Sequence, residues 1–232
     1  MYNKESKPKK FRNFYGRLKG KGLRALQQKL LNDQLEKLSI PAVKYEINPD
    51  RKLIELSDLF KNVTSFSLEI GFGGGEHLVY QAERNPNIGF IGCEPYINGV
   101  AMLAGKLSKT ELTNVRIHPG DVRDLFDVLP DDSIDSVYLL YPDPWPKKRH
   151  HRRRFVTSEY LIDLQRVMKT GALLKLATDI PDYVRQSLQE VCKHHFSWTA
   201  TDAQDWRECW SDWMPTRYER KALREGRRPY YL

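Results

Sequence analysis

From residue 65 onward, apolar and polar positions alternate between two periods. Segments 65–70, 88–93, 115–118, 136–141 and 172–177 are short runs built on Val, Ile, Leu and Phe, and they predict strands. Segments 76–84, 97–107, 123–129, 157–168 and 181–193 place apolar residues at helical spacing. In 157–168, Leu161, Leu164, Val167 and Met168 share a face, and Thr157 is the expected N-cap. Segments 196–200 and 229–232 are expected to close the sheet. Upstream, apolar residues at 23, 26, 30, 31, 35 and 38 predict a helix that Pro41 stops. A short element is expected near 58–61. Residues 1 to 22 or so lack periodicity and read as a mobile arm. Strand–helix alternation at this length predicts an α/β fold: a doubly wound, mostly parallel sheet with helices on both faces. The expected organisation is a basic N-terminal arm and helix over 1–40, then one domain over 41–232.

Charge changes the picture once it is located. The 232 residues carry a net charge of +8. Segments 1–30, 147–154 and 217–228 together hold 22 of the 38 Lys and Arg but 3 of the 30 Asp and Glu. The remainder holds 16 basic and 27 acidic residues, a net −11. An acidic body with three basic patches points to a polyanion bound at a defined place, with nucleic acid ahead of a membrane surface. No apolar run approaches the roughly 20 residues a membrane span needs. Cys93, Cys192 and Cys209 are too scattered for a disulfide framework or a zinc site, and reduced thiols in a cytoplasm are the expectation. No metal is indicated.

In a doubly wound sheet, ligands sit beyond the carboxyl ends of the strands. Glu69, Glu94, Asp121, Asp143 and Asp179 each fall at or just after the end of one of the five successive strands. Any one alone reads as a cap or a surface charge; five in register read as a site. The turn Gly71-Phe72-Gly73-Gly74-Gly75 lets backbone approach a ligand and exposes amides at a helix start. Glu76 stands where a dinucleotide fingerprint needs glycine, and no Gly-Lys-Ser/Thr follows for a phosphate loop. Glu94 is placed to hold ribose hydroxyls. An acidic pocket without a phosphate clamp suits a cationic nucleoside, and S-adenosylmethionine fits.

The most distinctive stretch is 141–154, Tyr-Pro-Asp-Pro-Trp-Pro-Lys-Lys-Arg-His-His-Arg-Arg-Arg. Its prolines stiffen a loop that presents Asp143 beside Trp145, and a cationic ribbon follows. This stretch, Leu68-Glu69-Ile70-Gly71-Phe72-Gly73 and Thr216-Arg217-Tyr218-Glu219 together resemble the bacterial tRNA (guanine-N7)-methyltransferase family, in order and from about Phe11 to the chain end. The resemblance implies a Rossmann-like class I methyltransferase fold and methylation of the variable-loop guanosine (position 46) of tRNA from S-adenosylmethionine. It implies Glu69, Gly71, Gly73, Glu94, Asp121 and Asp143 at the cofactor, with Asp143 also catalytic. Lys147, Asp179, Thr216, Arg217, Tyr218 and Glu219 would meet substrate, and Arg149, His150, His151, Arg152, Arg153 and Arg154 would meet RNA. Gly74 and Gly75 stand where the family varies.

The chemistry agrees with the residue types. Guanine N7 carries a lone pair and no proton, so it needs alignment rather than a general base. Asp143 could stabilise the charge developing on the purine or orient the base, and Trp145 could stack on a base or pack the loop. Trp206, Trp210 and Trp213 are expected to cap the sheet, and His118, His194 and His195 to be structural. The expected partner is tRNA, with no membrane, no metal and no obligate protein partner. The alternatives are a nucleic-acid methyltransferase acting on an exocyclic amine, a non-catalytic RNA-binding protein with the same fold, and, third, a small-molecule methyltransferase.

Overall fold

The computed structural model describes residues 12–232. Six strands form one sheet: β1 (Ser65–Ile70), β2 (Ile88–Cys93), β3 (Val115–His118), β4 (Ile134–Leu140), β5 (Met168–Thr178) and β6 (Tyr230–Tyr231). Their order is β3-β2-β1-β4-β5-β6, with β6 antiparallel and the others parallel. Helix α1 (Ala25–Leu38) precedes the sheet, and the others lie between its strands: α2 (Glu76–Arg84), α3 (Ile97–Leu107), α4 (Val122–Phe126), α5 (Ser158–Val167), α6 (Pro181–Val191), α7 (Gln204–Arg207) and α8 (Arg217–Arg224). This is the doubly wound arrangement that the alternating pattern predicts.

β1 is central, so its Leu68, Glu69 and Ile70 are buried although they point to opposite faces. On one face Leu68, Ile70, Val137 and Leu176 pack with Leu125, Leu161, Leu164 and Tyr183 from α4, α5 and α6. On the other, Phe90 and Ile117 pack with Leu78, Val100, Leu103 and Ala104 from α2 and α3. Leu31 and Leu38 of α1 are buried in this second cluster, so α1 is built into the body rather than standing apart with the arm. A third cluster, Tyr138, Leu140, Ala177, Trp213 and Tyr231, covers the β4–β5–β6 end. Trp213 and Trp210 thus cap the sheet as expected, while Trp206 stacks on Tyr230 nearby.

Three expectations change. Segment 196–200 forms no strand, because the edge of β5 near its carboxyl end is taken by the chain terminus: Leu176 and Leu232 exchange both backbone hydrogen bonds, and Thr178 pairs with Tyr230. Thr157 occupies the N-cap position of α5 in extended conformation, but its hydroxyl caps nothing and has no partner. Residues 12–22 are not a free arm. Arg12 donates to Asp127 at 2.7 and 2.9 Å and to Asp124 at 3.2 Å. The Leu18 carbonyl accepts the Ile97 amide at 3.0 Å, and the Asn98 side chain bonds both Gly20 and Lys21. Residues 1–11, the rest of the expected arm, lie outside the described residues.

Candidate active site

The register of the parallel strands decides which side chains meet. Ile70 lies opposite Cys93 and Leu139, Cys93 opposite His118, and Leu140 opposite Ala177, so the five parallel strands all end at one edge of the sheet. The loops after them rise from one edge. After β1 the chain turns through Gly71, Gly73 and Gly75 at φ values of 74°, 56° and 74°, a left-handed path that glycine takes without strain. The amide of Gly71 is tied back to Cys93, and that of Gly75 to Phe72.

Three of the five acids converge over this turn. Glu94 is buried and accepts the Gly73 amide at 2.7 Å and the Tyr96 amide at 2.8 Å. Burial raises its carboxyl above the usual range, the two amides pull it back, and the fields of Asp143 and Glu69 raise it further. Glu69 is buried at the end of β1, 2.8 Å from His77 Nδ1. Asp143 is open at the surface of its loop, yet the protein around it strips enough water to raise its carboxyl too. The other two acids are engaged elsewhere. Asp121 caps α4 and grips Arg123 at 2.6 Å, and Asp179 is paired with Arg227.

The loop after β4 is held in an unusual backbone path. Tyr141 and Trp145 have φ values of 51° and 41°, left-handed conformations that are rare for bulky residues and cost on the order of 1–3 kcal/mol each. Such strain persists where surrounding contacts over-determine the chain. The Trp145 ring has the Arg153 guanidinium 5.0 Å from its centre and His150 edge-on at 5.9 Å, and Arg153 also lies 4.7 Å from the Tyr15 ring. The packing role weighed for Trp145 is therefore realised.

Residues 148–153 form a 3₁₀ turn. Lys147, Lys148, Arg149 and Arg152 are exposed on it, His150 and His151 half-buried. His150 resists protonation because of desolvation and then the surrounding cations. Arg154 departs from the ribbon: it is 1% exposed and bonded wholly within the protein, so it offers nothing to RNA. A run of like charges does not reveal which member the fold has buried.

The segment Thr216–Glu219 closes the cleft from above. Thr216 caps α8 by accepting the Glu219 amide at 3.2 Å. Glu219 is buried and accepts the Trp213 indole at 2.7 Å and the Tyr231 hydroxyl. Arg217 pairs with Glu76 at 2.7 Å, joined by Lys106, which also reaches the Gly74 carbonyl. A Cβ on Gly74 would displace the ends of the Arg217 and Glu76 side chains, both of which can swing aside. Tyr218 is half exposed and leans over Gly73, facing Glu94 and Asp143; burial first, then those acids, raises its hydroxyl.

The sequence reading missed His77, which is buried against Glu69, Tyr138 and Trp213, and the Glu76–Arg217 pair. Both depend on contacts between distant segments, and no local spacing signals them. Among the described residues, the cleft has an acidic lining, open glycine backbone and no unpaired cation to clamp a phosphate, since Arg217 and Lys106 are both paired with Glu76. That donor set fits a sulfonium and ammonium ligand such as S-adenosylmethionine. Among the described residues no group of His, Cys, Asp and Glu could hold a metal ion, and no helix is long and apolar enough to cross a membrane.

Comparison with known proteins shows the family. Residues 64–232 match the family described as "Putative methyltransferase". The tRNA (guanine-N(7)-)-methyltransferase of Roseobacter denitrificans is 60% identical over 230 residues, covering 99% of this chain and 97% of that protein. Its namesake from Ruegeria pomeroyi is 61% identical over 221 residues, 95% and 93% of the two chains. Among solved structures, a precorrin-6y C5,15-methyltransferase from Geobacter metallireducens superposes with a TM-score of 0.46 at 17% identity, over 66% of this chain and 72% of that one. With the glycine turn, the proline loop and the Thr-Arg-Tyr-Glu segment gathered at one sheet edge, and identity of this level over nearly full length, the chain belongs to the tRNA (guanine-N(7)-)-methyltransferase family.

Proposed function

We propose that this chain transfers a methyl group from S-adenosylmethionine to N7 of the variable-loop guanosine of tRNA, in the cytoplasm. The observation that carries the reading is the meeting of Glu69, Glu94 and Asp143 beneath a strained loop whose next turn exposes Lys147, Lys148, Arg149 and Arg152. An acidic cleft beside a cationic turn serves a cationic cofactor and an anionic macromolecule at once. Bound S-adenosylmethionine would supply the electrophilic methyl.

The residues have separable roles. Glu94 fixes the glycine turn by taking the Gly73 amide with one carboxylate oxygen and the Tyr96 amide with the other. Glu69, held by His77, adds negative charge beneath it. Tyr218 and Arg217 cover the turn and keep water out of the cleft. N7 attacks with its own lone pair, so the site has to align rather than deprotonate. As the purine gains positive charge, Asp143 stabilises it from a partly desolvated position where electrostatics act strongly. The exposed cations of the turn bind phosphates and confer salt-dependent affinity without reading sequence.

The test is methyl transfer from labelled S-adenosylmethionine to an unmodified tRNA transcript, followed by nucleoside analysis. Label in 7-methylguanosine supports the reading. Label in an N-methylated exocyclic amine would replace the chemistry, and cofactor binding without transfer would point to another acceptor.

A further inference from the structure

Arg154 ends the basic run, and its place in the sequence suggests a phosphate contact. Its surroundings give it other work. Nε donates to the Pro144 carbonyl at 2.8 Å. Nη1 donates to Gln186 Oε1 at 2.8 Å and to the Asp182 carbonyl at 3.4 Å. Nη2 donates to Asp182 Oδ2 at 2.8 Å and to the Trp145 carbonyl at 3.5 Å, with His151 Nε2 at 3.1 Å. The guanidinium lies 5.1 Å from the centre of the Tyr183 ring, which is itself fully buried.

One end of this network therefore holds the two carbonyls that directly follow Asp143. The other end is the first turn of α6, whose Tyr183 is embedded in the core. Between them runs 141–146, without regular structure and with two aromatic residues in left-handed conformations. A backbone of that kind relaxes unless its neighbours over-determine it. The planar fork of arginine meets acceptors on several sides at once, which a lysine ammonium on a flexible stem does not reproduce.

We propose that Arg154 is a positioning residue, a buried strut that ties the 141–146 loop to α6 and so sets Asp143 against the cleft. The inference rests on the functional reading above. It differs from an RNA-contact role in what it predicts. Loosening the strut lets the loop drift, and a displacement of about 1 Å costs on the order of 100-fold in the rate of the aligned reaction. Affinity for tRNA is left to the exposed cations and stays at the wild-type value. Loss of a phosphate contact would instead weaken affinity and lower the slope of log affinity against log salt by roughly 0.7–0.9.

The experiment compares wild type with Arg154→Lys and Gln186→Ala in three measurements: single-turnover methyl transfer, tRNA affinity across a salt series, and trypsin cleavage at Lys147, Lys148 and Arg149 of the native protein. Arg154→Lys is expected to lower the rate about 100-fold with KM for tRNA and the salt slope unchanged. Cleavage within the turn should accelerate. Gln186→Ala leaves the buried cation paired with Asp182 and should show the same signature at roughly a tenfold loss. If Arg154→Lys gives no cooperative melt, Gln186→Ala decides. A fall in affinity together with a reduced salt slope would make Arg154 a phosphate contact and overturn the proposal, as would an unchanged rate. If wild type transfers no methyl to tRNA, the functional reading fails by itself. The cleavage measurement then judges the strut alone: faster cleavage supports it, and unchanged cleavage refutes it.

Discussion

Gly99, in the first turn of α3, lies against the glycine turn more closely than any side chain allows. An ideal Cβ there would fall 2.3 Å from the Gly73 carbonyl oxygen and 3.1 Å from its carbon, both backbone atoms that no rotamer can move. Real Cβ atoms essentially never come within 3.0 Å, so Gly99→Ala must displace the turn by about 0.7 Å, the difference between 3.0 and 2.3 Å. The helix cannot retreat instead, because Val100 and Leu103 are fully buried beside it. Displacement along the Gly73 amide bond would stretch its 2.7 Å hydrogen bond to Glu94 out of the useful range. A hydrogen bond to a charged group contributes about 1.5–3 kcal/mol. The dissociation constant for S-adenosylmethionine should therefore rise about 10- to 100-fold, measured by calorimetric titration. Gly105→Ala, on the same helix, meets nothing nearer than Leu30 at 3.8 Å. It should leave cofactor affinity unchanged and stabilise the fold by roughly 0.5–1 kcal/mol. A folded Gly99→Ala protein that binds the cofactor like wild type would refute the reasoning.

Three further outcomes follow from the same geometry. Asp143→Ala should lower turnover by at least about 10²-fold while sparing tRNA affinity, and a normal rate in a quenched-flow assay would remove Asp143 from the chemistry. Arg149→Glu with Arg152→Glu, both exposed, should weaken tRNA binding and flatten its salt dependence with calorimetric cofactor binding intact; loss of both would indicate misfolding. His118 is shifted downward by desolvation, against the opposing pull of Asp124 and Asp121 and with Arg51 adding to the shift. The unfolded chain then binds more protons below about pH 6.5, so wild type loses stability as pH falls, and the stability gap to His118→Gln should narrow on acidification in urea titrations. A gap that widens would contradict that assignment.

The strand and helix boundaries around the cleft were readable because one residue type does one job there. Alternating runs bury against layers, and 65–70, 76–84, 88–93, 97–107 and 115–118 stand where the pattern places them. The proline loop announced itself through composition. What local pattern could not reveal was how identical side chains divide their labour. Within 149–154, Arg152 meets solvent, Arg153 lies between two aromatic rings and Arg154 is buried, although nothing in the run separates them. Of five acids at strand ends, Asp121 and Asp179 found arginines, one two residues on and one 48 residues away. Residues 12–22 look unstructured by periodicity, and indeed have no regular element; they dock because Asp124, Asp127 and Asn98 offer partners from other segments. Segment 196–200 has the composition of a strand, but the edge it would join is already paired. Each of these outcomes depends on a tertiary partner rather than on a local period.

The central claim is that the acidic cleft delivers a methyl group to N7 of one tRNA guanine. Its most direct measurement uses two otherwise identical transcripts, one with guanosine and one with 7-deazaguanosine at the variable-loop position, incubated with labelled S-adenosylmethionine. The account predicts equal binding of both, with label entering the first as 7-methylguanosine and none entering the second. Equal labelling of the two transcripts would show that another atom accepts the methyl group and would contradict it.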